Sequence, residues 1–99
     1  MRGDILIVDD EKGMCEVLAE GLGKRGFRVV WEVTGEAALA RLGEADFDVV
    51  VTDLNMRGIN GFDVCERIVA NRPELPVVII TAFASLESAI TAIRTGAYG

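Results

Sequence analysis

Four side chains have the types and spacing to do chemistry together: Asp9, Asp10, Asp53 and Thr81. All stand at the ends of apolar, β-branched runs. Ile5-Leu6-Ile7-Val8 leads into Asp9-Asp10, Val49-Val50-Val51-Thr52 into Asp53, and Val77-Val78-Ile79-Ile80 into Thr81. Runs this uniformly apolar fit strands covered on both faces, which means a parallel sheet flanked by helices. In such sheets ligands bind beyond the carboxyl ends of the strands, where strand order reverses. Three strands therefore deliver three carboxylates and a hydroxyl to one edge.

Crowded carboxylates either take up protons or bind a cation. Oxygen donors without histidine or cysteine point to a hard ion, Mg²⁺ or Ca²⁺. A sparse site that leaves several waters in place suits Mg²⁺ better, and its natural companion is a phosphoryl group whose charge it offsets. The Thr81 hydroxyl can donate to a phosphoryl oxygen, and Asp53, central among these groups, is the plausible nucleophile. Aspartates also favour strand ends and turns for conformational reasons, which would account for one of them. Three, together with Thr81 at matched strand ends, favour a site.

The elements that position these residues alternate along the chain. A first strand runs from Asp4 to Asp9, and a helix from Lys12 to Lys24 carries Met14, Val17, Leu18 and Leu22 on one stripe. Gly13, Gly21 and Gly23 weaken that helix intrinsically, so packing must hold it, and Gly26 stops it. Arg28 to Val33 is a more polar strand, expected at a sheet edge. Thr34 caps the next helix, Glu36 sits in its first turn, Ala38, Leu39 and Leu42 form its buried face, and Gly43 ends it. The third strand, Asp48 to Asp53, opens into a loop from Leu54 to Asn60. Asn60-Gly61 has a hairpin signature, but Phe62, Val64, Cys65, Ile68 and Val69 follow at helical spacing. Asn60 therefore reads as an N-cap of a helix that ends before Pro73. Pro76 opens the fourth strand, and Ser85 caps a last helix bearing Leu86, Ala89, Ile90 and Ile93, closed by Gly96. The order is βαβαβαβα with right-handed crossovers.

Composition narrows the function. Ninety-nine residues form one small domain, 51% hydrophobic and 26% charged. The net charge of −6 argues against nucleic acid as a direct partner. No signal peptide or membrane-spanning run is visible, so a cytoplasmic location is expected. Cys15 and Cys65 lack metal-ligand or redox-motif spacing and read as reduced, mostly buried thiols. The absence of histidine excludes His-dependent triads, His-ligated zinc and a role as phosphohistidine donor. Arg2-Gly3-Asp4 spells an adhesion tripeptide, here read as chance.

Val8-Asp9-Asp10-Glu11, Thr52-Asp53-Leu54-Asn55-Met56 with Gly58 and Asn60-Gly61, Ile80-Thr81-Ala82, and Gly96-Ala97-Tyr98 together resemble the receiver domain of bacterial two-component response regulators. The resemblance covers the whole chain. Phe83 to Gly96 further resembles receivers that head multidomain transcriptional activators. The resemblance implies a flavodoxin-like doubly wound parallel sheet of order 2-1-3-4, with the family's fifth strand and last helix missing. It implies Asp53 as phosphoacceptor from a sensor histidine kinase, and Asp10, Asp53 and the carbonyl of Asn55 as Mg²⁺ ligands, with Asp9 acting through water. By the same resemblance Thr81 contacts the phosphoryl group and switches the adjacent loop. Asn55 and Phe83 tune phosphoryl lifetime, and small Ala82 leaves access to the site. The output domain is expected C-terminal to the receiver.

Two positions depart from the family pattern. Arg57 stands where proline is usual, and the family's lysine on the fifth strand lies past Gly99. Lys12 and Arg57 are the nearest substitutes for that charge. The expectation is thus a C-terminally incomplete receiver spanning residues 1–99, marginally folded or self-associating through exposed apolar edges. It is a signalling domain rather than an enzyme, catalysing only its own aspartyl phosphorylation and dephosphorylation. The alternative is a degenerate or truncated receiver acting only as a protein-interaction module. An aspartyl phosphatase would want a second aspartate where Asn55 stands, and no Gly-rich phosphate loop follows the first strand.

Overall fold

A computed structural model describes residues 3–53 and 61–80. The elements are β1 (Asp4–Val8), α1 (Lys12–Lys24), β2 (Arg28–Glu32), α2 (Gly35–Glu44), β3 (Val49–Asp53), α3 (Gly61–Asn71) and β4 (Val77–Ile80). The four strands form one parallel sheet, as the apolar runs predict, in the order β2-β1-β3-β4 that the family resemblance implies. The loop with its expected Asn60 cap and the helix expected after Ser85 lie outside the described residues.

Side chains alternate across a strand, so each apolar run feeds two cores. Ile5, Ile7, Val49, Val51 and Val78 face Cys15, Leu18 and Leu22 of α1. Leu6, Val8 and Val50 face Ala38 and Leu42 of α2 and Val64 and Ile68 of α3. Burial on both faces is why β1 and β3 show no polar alternation. β2 lies at the sheet edge, as its polarity predicts; Val29 and Trp31 are half-buried on the α1 face and Val30 on the other.

The α1 stripe differs from expectation. Cys15, Leu18 and Leu22 are buried with Met14 beside them, whereas Val17 is 60% exposed. A helix lying on a sheet buries a narrow stripe, and position 15, a turn before Leu18, falls nearer its centre than position 17. Val69 of α3 is likewise 56% exposed while Val64 and Ile68 are buried. Both cysteines are free; Cys15 is buried and Cys65 half-buried.

Helix ends follow local chemistry. After α1, Gly26 takes φ +94, its N–H donates to the carbonyl of Gly23, and Phe27 N–H donates to that of Leu22. This is a Schellman closure, in which the left-handed residue favours glycine. Phe27 packs on the cluster that contains Leu22. The Thr34 hydroxyl caps α2 by accepting from Ala37 N–H at 3.1 Å. Gly43 does not end α2: the helix runs on to Glu44 and Ala45 N–H donates to Arg41 O at 3.0 Å. Gly43 has φ in the ordinary range, so nothing in its backbone breaks the helix there. Arg72, past the end of α3, donates to the Leu42 carbonyl at 2.8 Å and to Asp46 at 2.9 Å, joining the two helix ends.

Candidate phosphoryl and cation site

The register decides what meets at the sheet edge. Val8 of β1 is opposite Thr52 of β3, so Asp9 and Asp53 end up side by side, with Asp10 next along the chain. One carboxylate oxygen from each of Asp9, Asp10 and Asp53 lies within 4.8 Å of the others. Asp9 is 4% exposed and Asp53 8%, while Asp10 is half-buried. Ile80 of β4 pairs with Asp53, which brings the end of β4 to the same edge. Thr81, Asn55, Ala82 and Phe83 lie outside the described residues, as does Arg57. Lys12 opens α1 and is exposed.

Burial and like charge act together here. The Asp9 carboxyl is pushed above the usual range, first by burial and then by Asp53, Asp10 and Glu11, against the opposing hydrogen bond from Glu11 N–H. Two ionised carboxylates at such separations repel by roughly 3–4 kcal/mol at an effective dielectric of about 20. A hard divalent cation removes that repulsion, and a set made only of carboxylate oxygens fits Mg²⁺.

Asp9 is held at several points. Its N–H donates to the Glu32 carbonyl at 3.2 Å, extending the β1–β2 ladder one residue past the strand. Its Oδ1 accepts from Glu11 N–H at 2.9 Å, an Asx-turn, and its carbonyl accepts from the Cys15 thiol at 3.3 Å. Sequence reasoning placed Cys15 in a helix but assigned it no part in the site. The only signal was a cysteine six residues after an aspartate at a strand end, too common to single out. Arg41 forks onto one Glu32 oxygen, at 2.6 and 3.0 Å, fixing the side chain of the residue whose carbonyl receives Asp9.

A parallel sheet of order 2-1-3-4 with clustered aspartates at the ends of its two inner strands is the frame of a phosphoryl-signalling domain. The chain belongs to the response regulator receiver domain family, whose model matches residues 5–99. It is 38% identical over 94 residues to the transcriptional regulatory protein ZraR of Salmonella typhimurium, covering 95% of this chain and 21% of that protein. It is 34% identical over 97 residues to the response regulator FleR of Pseudomonas aeruginosa, covering 98% of this chain and 20% of FleR. The chain thus spans about a fifth of the length of these relatives. Among solved structures, TrrA of Thermotoga maritima, in complex with Mg²⁺-BeF, superposes with a TM-score of 0.79 at 30% identity, covering 92% of this chain and 79% of that one. The non-phosphorylated HemR receiver domain of Leptospira biflexa gives 0.76 at 36% identity, covering 96% and 77%. Among the described residues no helix is long and apolar enough to cross a membrane.

Proposed function

We propose that Asp53 is the phosphoacceptor of this receiver domain and that Asp9, Asp10 and Asp53, with the Asn55 carbonyl, hold Mg²⁺. The observation that carries this reading is the convergence of the three carboxylates within 4.8 Å, with Asp53 ending an inner strand. The complex of the similar TrrA with Mg²⁺-BeF supports it. An Asp53 carboxylate oxygen attacks phosphorus in line. The bond from phosphorus to the donor histidine nitrogen breaks, the imidazole leaves with the electron pair, and an aspartyl phosphate remains. When bound, Mg²⁺ offsets charge on the carboxylates and on the phosphoryl oxygens. Burial of Asp9 and Asp53 strengthens every such interaction by excluding water. Thr81 donates to a phosphoryl oxygen and passes the change to the segment that follows it, where Ala82 and Phe83 adjust access and lifetime together with Asn55. The donor is a sensor histidine kinase, the domain works in the cytoplasm, and the switch is coupled to a C-terminal output domain that regulates transcription.

A small phosphodonor such as acetyl phosphate, supplied with Mg²⁺ and followed by mass spectrometry, tests the assignment. Asp53 should gain a phosphoryl group labile to base and to hydroxylamine, as an acyl phosphate is, and Asp53→Ala should lose it. Equal modification of the mutant rejects Asp53.

A further inference from the structure

We propose that Cys15 is a positioning residue for the cation site. Its thiol holds the carbonyl of the Asp9–Asp10 peptide and so sets the directions in which both carboxylates leave the end of β1. The proposal rests on the reading of these carboxylates as a cation site.

Three groups grip Asp9. Two are backbone groups that any residue type would supply: the Glu32 carbonyl at 3.2 Å and the Glu11 N–H at 2.9 Å. The third, Cys15 Sγ at 3.3 Å from the Asp9 carbonyl oxygen, depends on the side chain. Cys15 is fully buried, packed among Ile5, Ile7, Leu18 and Val51. The neutral thiol carries an S–H, and its distance to the Asp9 carbonyl oxygen fits a hydrogen bond that it donates. Its own N–H donates to the Glu11 carbonyl at 3.1 Å, which fixes where Sγ sits relative to the Asp9-Asp10-Glu11 turn. The acceptor carbonyl belongs to the peptide that joins two of the three clustered carboxylates. The orientation of this peptide is coupled to ψ of Asp9 and φ of Asp10, the two backbone dihedrals that lie between the side chains. Among apolar residues of similar volume, cysteine alone fills this core position and also supplies a donor, though a weak one.

Two substitutions separate packing from the hydrogen bond. Cys15→Val keeps an apolar, somewhat larger side chain and removes the donor; Cys15→Ser keeps a donor. Mg²⁺ affinity is measured by calorimetry on the chain, and the ¹⁵N shift of the Asp10 amide is followed without metal, since it senses what the preceding carbonyl accepts. Cys15→Val should weaken Mg²⁺ about 2- to 5-fold, the lower part of the range for an ordinary hydrogen bond as suits a weak thiol donor, and displace the Asp10 resonance. Cys15→Ser should stay within about twofold of wild type. Cys15→Ala gives the same test without a branched side chain in the helix. Donor-free variants that bind like wild type with an unmoved Asp10 resonance overturn the proposal alone, as does a serine variant as weak as valine. A wild-type chain that takes up no Mg²⁺ overturns the cation reading itself, and this proposal with it.

Discussion

Val8 and Thr52 are register partners in adjacent parallel strands, and this pairing makes neighbours of Asp9 and Asp53, 44 positions apart in sequence. Thr52 is fully buried and donates its hydroxyl to the Asp53 carbonyl at 3.2 Å, so the residue just before the acidic edge is itself part of the core. The carboxylates are therefore set on a rigid sheet end, where the backbone has little freedom to spread their charges apart.

That crowding should cost stability in the absence of metal. Asp9→Asn keeps an acceptor for Glu11 N–H but removes a buried charge, and should raise the unfolding free energy by roughly 1 kcal/mol in metal-free buffer. Added Mg²⁺ should narrow the gap, because it stabilises the wild type more than the variant. Urea titrations with and without Mg²⁺ read both effects, and a variant less stable than wild type without metal would contradict the account.

The Cys15 thiol gives a pH dependence with a defined sign. It is raised from 9.0 to about 11, so above pH 9 the unfolded chain sheds this proton before the folded one does. The folded state then holds more protons, and stability falls as pH rises from about 9 to about 11. The loss approaches roughly 2–3 kcal/mol at about 1.4 kcal/mol per unit. Below pH 9 the thiol is protonated in both states and contributes no slope. The difference between wild type and Cys15→Val across this window isolates the thiol from the lysines and tyrosine. Parallel stability curves for the two would argue against a buried, raised thiol.

Two glycines with positive φ should respond differently to alanine. Gly26 has φ +94 with no atom within 4 Å of a Cβ placed there, so Gly26→Ala should cost only the left-handed strain, about 1–2 kcal/mol. Asparagine, which tolerates that conformation, should cost less. At Gly3, φ is +88 and a Cβ would lie 2.9 Å from Phe27 Cδ1, so Gly3→Ala should cost more than Gly26→Ala. Thermal or urea unfolding of the three variants tests the ranking.

Arg72 should matter more than its ion pair. Its partner Asp46 has a side chain 94% exposed, and Asp46→Ala should shift stability by less than about 0.5 kcal/mol. Arg72→Ala also removes the donor to the Leu42 carbonyl at the end of α2 and should cost about 1–2 kcal/mol. Equal effects from the two substitutions would mean that the bond to Leu42 contributes nothing.

The strand order 2-1-3-4 came from the family resemblance, whereas the order of elements, the parallel sheet and the clustering of Asp9, Asp10 and Asp53 were legible in the chain itself. The reason is physical: apolar runs such as Ile5–Val8 and Val49–Val51 are long enough, and β-branched enough, to admit only doubly covered strands. Parallel strands then put their carboxyl ends, and whatever follows them, on one edge. Caps such as Thr34 and the stop at Gly26 are local and equally readable. Other features depended on the packed structure. Which face of α1 turns inward could not be read from Met14, Val17, Leu18 and Leu22, because helical periodicity allows a stripe to rotate by half a turn's neighbour; contact with the twisted sheet buried Cys15 and left Val17 in solvent. The end of α2 was misplaced at Gly43, because a glycine breaks a helix only where its backbone leaves the helical region. The grip of Cys15 on the Asp9 carbonyl, and the fork of Arg41 on Glu32, join residues on different elements. Such contacts exist only once helices have settled on the sheet, since their geometry is set by distances in space rather than by spacing along the chain.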